Sequence, residues 1–256
     1  MGAVFLSGGE APPAPGARIA GESFTAAQWD EADLGEAVFE DCVFEAALFT
    51  TADLCGARFV RCRLARCAFA HADLRGAQFT DCVFAAAEGR LGVSFAFGRL
   101  EESRFTRCDL THARFEAASL YAAAFADCNL TGAQFARATF FRAFGRSVVR
   151  TAAAFVDCDL TLADLSGAGL AGCDLSRSRL READLTGADL EGAILAGGDL
   201  FQALVDGARL AGADLRGAEV SGLDLRRLAS SQDLKITAAQ QFRLLDALGV
   251  DVHPDP

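Results

Sequence analysis

Cys108-Asp109-Leu110-Thr111-His112-Ala113-Arg114-Phe115 returns twenty residues later as Cys128-Asn129-Leu130-Thr131-Gly132-Ala133-Gln134-Phe135. Each octet holds two apolar centres five positions apart, and a small residue sits two places before each centre. Outward from this stretch the rhythm covers most of the chain. Centres run from Leu34 through Phe39, Phe44, Phe49 and Leu54 to Phe84, then from Phe95 to Phe140, then from Phe155 to Leu225. Only Val205 and Val220 depart from Leu or Phe in the third run. Neither a helix of period 3.6 nor a plain strand of period 2 carries a five-residue rhythm. Fixed-period self-similarity belongs to a solenoid, in which each unit buries its apolar face against its neighbours.

Within each pentapeptide the centre and the small residue two before it must face one side, which is local strand-like alternation. The other residues turn the chain, and Gly is frequent there (Gly56, Gly76, Gly132, Gly187), where a corner needs positive φ. The longer period counts the sides. Ala-Asp-Leu recurs at 32–34, 52–54 and 72–74, and Cys42, Cys62 and Cys82 keep the same twenty-residue interval. Four pentapeptides per turn, stacked like on like, predict an all-β solenoid, a four-sided β-helix.

Two intervals break the count. Cys82 to Cys108 is 26 residues and Cys128 to Cys158 is 30. Insertions are therefore expected near 85–94 and 141–150, as loops projecting from a continuous coil, and loops on a rigid scaffold are where binding residues concentrate. The first offers Glu88, Arg90 and Leu91. The second offers Phe141, Arg142, Phe144, Arg146 and Arg150, with three arginines and no acid. Exposed aromatic and Arg side chains are typical interface anchors. Residues 1–23, with Pro12, Pro13 and Pro15, read as a flexible lead; 24–228 as the β-helix; 229–256 as a C-terminal cap.

That cap opens on Thr237-Ala238-Ala239-Gln240, a capping-box pattern. A short helix follows with Phe242, Leu245 and Leu248 on one stripe, ended by Gly249. The stripe caps the last coil, and Leu244, Val250 and Val252 remain to join two chains end to end.

Composition bounds the chemistry. The formal net charge is −11, distributed unevenly: 13 acids against 7 bases in 1–90, 5 against 8 in 91–154, and 17 against 9 in 155–256. An acidic rod does not offer the basic surface that free nucleic acid needs. No apolar run is long enough to span a bilayer, and no signal segment leads the chain. Eight of nine cysteines hold the inward small position and only Cys55 faces out, so they read as small hydrophobes in a reducing, cytoplasmic compartment. His71, His112 and His253 form no nucleophile grouping, and the repeated Asp residues belong to the rhythm. No phosphate loop, dinucleotide fingerprint or zinc spacing occurs. The expectation is a protein without cofactor or metal that is not an enzyme.

These repeats resemble the pentapeptide-repeat proteins over roughly Phe24 to Leu225. The resemblance implies a right-handed quadrilateral β-helix. The two interruptions, the acidic rod and the ending Gln240-Gln241-Phe242-Arg243-Leu244-Leu245-Asp246-Ala247-Leu248-Gly249-Val250 are similar to the subgroup that protects DNA gyrase and topoisomerase IV from quinolones or natural toxins. That likeness implies a homodimer joined through the C-terminal helix, with Phe242, Leu244, Leu245, Leu248, Val250 and Val252 at the interface, loops that contact the topoisomerase, and an acidic surface that mimics duplex DNA. Two alternatives remain open at this point: a scaffolding solenoid with an unrelated partner, and an inhibitor that competes with DNA for gyrase.

Overall fold

The computed structural model describes residues 5–7, 11–84, 92–144, 147–149, 153–250 and 253. The strands are three residues each: β1 Phe5–Ser7, β2 Arg18–Ala20, β3 Ser23–Thr25, β4 Val38–Glu40, β5 Val43–Glu45, β6 Arg58–Val60 and β7 Arg63–Ala65. They continue as β8 Gln78–Thr80, β9 Arg104–Thr106, β10 Ala124–Ala126, β11 Arg142–Phe144, β12 Ser147–Val149 and β13 Ala154–Val156. One parallel sheet runs β2-β4-β6-β8-β9-β10-β13 and a second runs β1-β3-β5-β7. Isolated parallel bridges build two further columns, through Gln28, Leu48, Ala68, Ser94 and Arg114, and through Asp33, Asp53, Asp73, Arg99 and Ser119. Four columns make a four-sided parallel solenoid, as the twenty-residue period requires.

The register follows from the core. Every centre from Phe24 to Phe84, Phe95 to Phe140 and Phe155 to Val220 is buried. Phe39, Phe59, Phe79, Phe105, Phe125 and Phe155 stack in one file, with centroids 4.8–4.9 Å apart. Those values equal the spacing of hydrogen-bonded strands, so ring packing and backbone pairing share one repeat. A second file joins Phe49, Phe69, Phe95, Phe115 and Phe135 at 4.6–5.2 Å. Beyond Phe155 the centres are Leu and Val, and the stack becomes aliphatic.

The corner residue, two after the centre, lies in the left-handed region whether or not it is Gly. Thr51 has φ 57°, His71 59°, Arg107 52° and Leu162 59°, beside Gly56 at 66° and Gly187 at 67°. Many corners close by a turn bond from the small residue's N–H to the preceding centre's carbonyl, as from Ala57 to Leu54 (3.0 Å) and from Ala193 to Leu190 (3.0 Å). A positive φ at the third residue is what such a type II turn needs.

The cysteine file shows why a thiol suits the small position. Cys62 Sγ lies 3.3 Å from the Phe39 carbonyl of the coil beneath, Cys82 3.3 Å from Phe59, Cys108 3.4 Å from Phe79 and Cys128 3.4 Å from Phe105. Ser178 continues the file: its hydroxyl donates to the Phe155 carbonyl at 2.7 Å and accepts the Cys158 N–H at 2.9 Å. All nine thiols are free, and only Cys55 is not fully buried. Burial pushes the Cys67 and Cys173 thiols up to about 12.

Three boundaries differ from the sequence reading. The coil begins inside the expected lead, because β1 pairs with β3 and β2 with β4, which places Ile19 beneath Phe39. The step from β1 to β3 is 18 residues, off the twenty-residue beat, so periodicity conceals it. At the other end Leu225 is only partly buried and opens a 3-10 turn, while Leu223 takes the core place. The coil still continues to the bridges Arg209↔Ser230 and Asp214↔Lys235, past the expected limit at 228.

Two measurements follow. Thiol labelling of the native protein should modify Cys55 first and leave the other eight unreacted until unfolding; joint early labelling of Cys62, Cys82 and Cys108 would show that the register is wrong. Leu162→Gly should raise stability by up to about 1 kcal/mol, since the left-handed strain of a side chain exceeds the extra chain entropy of Gly. Gly187→Ala, with open space around it but φ 67°, should change the melting midpoint in the opposite direction.

Candidate partner interface

The second interruption is not an irregular loop. β11 and β12 form an antiparallel hairpin with Arg142 opposite Val149, Ala143 opposite Val148 and Phe144 opposite Ser147. It leaves the coil after Phe140, which closes the core there at 1% exposure. The residue at its root, Phe141, is 45% exposed. Its ring lies over Gly169, where a Cβ would stand 3.5 Å from the ring edge. Positions equivalent to 169 in the same column carry Asp73, Arg99, Ser119 and Asp189, so the missing side chain at Gly169 seats the hairpin's root.

Arg142 and Phe144 therefore sit on the hairpin strands, and Phe141 beneath them on the body. Arg146 and Arg150, and Glu88, Arg90 and Leu91 of the first interruption, lie outside the described residues. The coil register resumes after each interruption: Ala68 pairs with Ser94 and Gln134 with Asp164, steps of 26 and 30 residues.

The C-terminal cap is built around one amide. Thr237 and Gln240 form the expected capping box, through a 3-10 turn at Ala238–Gln240 that leads into the helix α1, Gln241–Ala247. Gln240 itself is buried. Its Nε2 donates to the Leu215 carbonyl (2.6 Å) and the Ala218 carbonyl (2.8 Å), and its Oε1 accepts from the Thr237 N–H (2.7 Å). The side chain thus satisfies main-chain groups that a further coil would otherwise pair, which is the requirement at an open solenoid end.

The helix is rotated relative to the sequence reading. Leu244, expected to face a second chain, is 3% exposed and joins the core, whereas Phe242, expected to cap, is 49% exposed. Val250 is 46% exposed, Leu245 and Leu248 are half-buried, and Val252 lies outside the described residues. Arg243, beside Leu244, pairs with Glu219 of the last coil.

Three surface ion pairs join corner residues of neighbouring coils. Arg61 binds Asp41, Arg107 binds Asp81 and Arg177 binds Asp157, each with two nitrogens on two carboxylate oxygens one coil away. These guanidinium bonds hold the Asp41, Asp81 and Asp157 carboxyls below the usual range. Of the histidines, His71 stacks on Phe97 at 4.9 Å and His112 lies over Gly132. Among the described residues no cluster of His, Cys, Asp or Glu is placed to hold a metal ion, and no helix is long and apolar enough to cross a membrane.

The family model for pentapeptide repeats matches eight copies, over residues 47–85, 158–197 and 199–227. Full-length QnrB1, a plasmid-mediated fluoroquinolone resistance protein, is similar with a TM-score of 0.72 at 27% identity, over 79% of this chain and 97% of that one. A trypsin-treated QnrB1 variant has the same TM-score at 25% identity, over 93% of this chain and 98% of that one. HetL, a pentapeptide repeat protein from the cyanobacterium Nostoc, is 23% identical with a TM-score of 0.40, over 86% of this chain and 90% of that one. No curated protein matches the chain.

Gln240→Ala should cost about 1–3 kcal/mol, because it strands the Ala218 carbonyl and the Gly217 N–H, which donates to the Gln240 Oε1, whereas the Leu215 carbonyl keeps its turn bond from the Ala218 N–H. The loss should appear as faster amide exchange at Gly217 and along α1, with the Phe-rich coils unchanged. Unaltered exchange there would mean that the amide does not hold the cap.

Proposed function

We propose that this pentapeptide-repeat solenoid is a non-enzymatic interaction protein that binds a bacterial type II topoisomerase, DNA gyrase or topoisomerase IV, and relieves poisoning by fluoroquinolone-class drugs. The observation that carries the reading is the likeness to QnrB1, which extends over nearly the whole of that protein at a TM-score of 0.72. Two physical features support it. The body is a rigid stack whose core is closed, so recognition falls to its surface and its interruptions. The hairpin after Phe140 is the one described departure from parallel pairing, and it carries Arg142 and Phe144 on a root of exposed Phe141.

In this reading Phe141, Arg142, Phe144, Arg146 and Arg150 of the second interruption, with Glu88, Arg90 and Leu91 of the first, contact the topoisomerase in the cytoplasm. The acidic body presents a charge pattern that a DNA-binding groove accepts. The end-to-end homodimer that the family resemblance implies would rest on Phe242 and Val250, since Leu244 is occupied in its own core.

The purified protein should restore supercoiling by gyrase in the presence of a fluoroquinolone and reduce drug-stabilised cleavage. Excising 141–150 leaves Phe140 and Phe155 five residues apart, so the coil can close. That variant should fold with unchanged thermal stability and lose at least about tenfold in protection, the share expected of an anchor cluster. A wild-type protein that neither binds gyrase or topoisomerase IV nor alters cleavage would sink the assignment. A folded deletion variant that protects fully would remove the hairpin from it.

A further inference from the structure

The seven-stranded sheet and the bridges that extend it form one continuous face from Arg18 to Lys235. Its outward residues carry a pattern that none of the interactions above uses. In the N-terminal half Arg58 and Arg104 flank Gln78, one coil to either side. In the C-terminal half Asp174 and Asp214 flank Ile194 at the same spacing. Between the two halves lie Ala124, Ala126, Ala154 and Val156, small and half-buried. Arg58 and Arg104 are exposed, and neither they nor Asp174 enter an ion pair among the described residues. Ile194 is 42% exposed.

We infer that a second copy of this chain docks on this face, antiparallel, about a two-fold axis between β10 and β13. The axis sets Ala124 opposite Ala154 at the centre, where flat side chains allow close approach. One coil further out, Arg104 falls opposite Asp174. Two coils beyond that, Arg58 falls opposite Asp214. Asp214 already holds Arg216, and a carboxylate has acceptor sites enough for a second guanidinium. A two-fold contact is isologous, so each pair forms twice. In-register parallel docking would instead place Arg104 on Arg104 and Asp174 on Asp174. Both halves of the complementarity lie on one face with one spacing, which is why the occupant is another copy rather than an unrelated acidic or basic protein. Phe141, where the chain leaves for the hairpin, rests on Gly169 of the adjoining side.

The face spans about 45 Å by 10 Å from strand spacing and rise, roughly 450 Å² per copy. That is the low end of specific interfaces, so the dimer forms at micromolar or higher concentration. Its outer contacts are charge pairs at a wet rim, so it weakens with salt.

Sedimentation of the full chain across protein and salt concentration tests this. Phe242→Glu, which removes the end-to-end contact proposed above, should still dimerise reversibly and dissociate as salt rises. In that background Arg104→Glu and Asp174→Arg should each weaken dimerisation at least about tenfold, by setting like charges opposite one another twice. An equimolar mixture of these two variants should recover dimers to within about threefold of the Phe242→Glu chain, because each mixed pair is again opposite in charge. A Phe242→Glu chain that stays monomeric, a dimer indifferent to both charge reversals, or a mixture of the variants that stays monomeric would overturn the proposal. Topoisomerase protection does not enter the readout, so the two ideas stand or fall separately.

Discussion

A planar ring laid on another at the distance set by a backbone hydrogen bond is the constraint from which the rest of this structure follows. The Phe39 file repeats at 4.8–4.9 Å, the strand spacing itself. Each coil must therefore return the chain to the same lateral position, and the path between successive rings has to be made of whole sides. That is why the interruptions resume in register: what lies outside the coil is unconstrained, but the coil re-enters at the column it left. It is also why the small position stays small in the Phe-bearing coils: Ala and Cys fill most of these places between rings from adjoining sides, Val93 is the largest described side chain buried at one, and a Leu or Phe there would part the stack.

The corners show what the stack demands of the backbone. Left-handed φ is adopted by Arg, His, Thr and Leu as well as by Gly, at a conformational cost repeated along the rod. Such strain persists only where the surroundings over-determine it, and here the buried centres on either side do so. Because the corner side chain points to solvent and packs little, its identity is free to carry charge. The bidentate pairs between Arg61 and Asp41, or Arg177 and Asp157, are built on that freedom.

Much of this was legible in the sequence because a repeat states its register many times. The four-sided solenoid, the buried cysteine file, the 26- and 30-residue steps and the capping box all follow from spacing. What escaped has local causes. β1 joins by an 18-residue step through a proline-bearing segment, where one instance offers no repeat to compare. The α1 helix is seven residues long, with apolar residues on more than one side, and hydrophobic pattern alone does not set its rotation; the Gln240 amide docks its start on the last coil with Leu244 turned into the core. The second interruption is a hairpin because β11 and β12 pair with each other, a choice that the pentapeptide rhythm does not address. Gly169 as the seat for Phe141 could have been found by listing outward residues column by column, where it replaces larger side chains.

The Gln240 plug gives the rod a mechanical polarity. Most of the bonds between coils run along the axis and join only neighbours, so a pull applied at the two ends loads them in series. The Phe-rich coils near the start add stacked rings to these bonds, whereas beyond Phe155 the buried centres are Leu and Val. Under tension the chain should peel from its C-terminal side, after the plug is drawn, rather than snap at mid-rod. Each coil of twenty residues that comes away would lengthen the chain by about 60 Å, given the reach of an extended residue. The same architecture that keeps the body stiff under lateral contact thus makes it extensible, step by step, along its length.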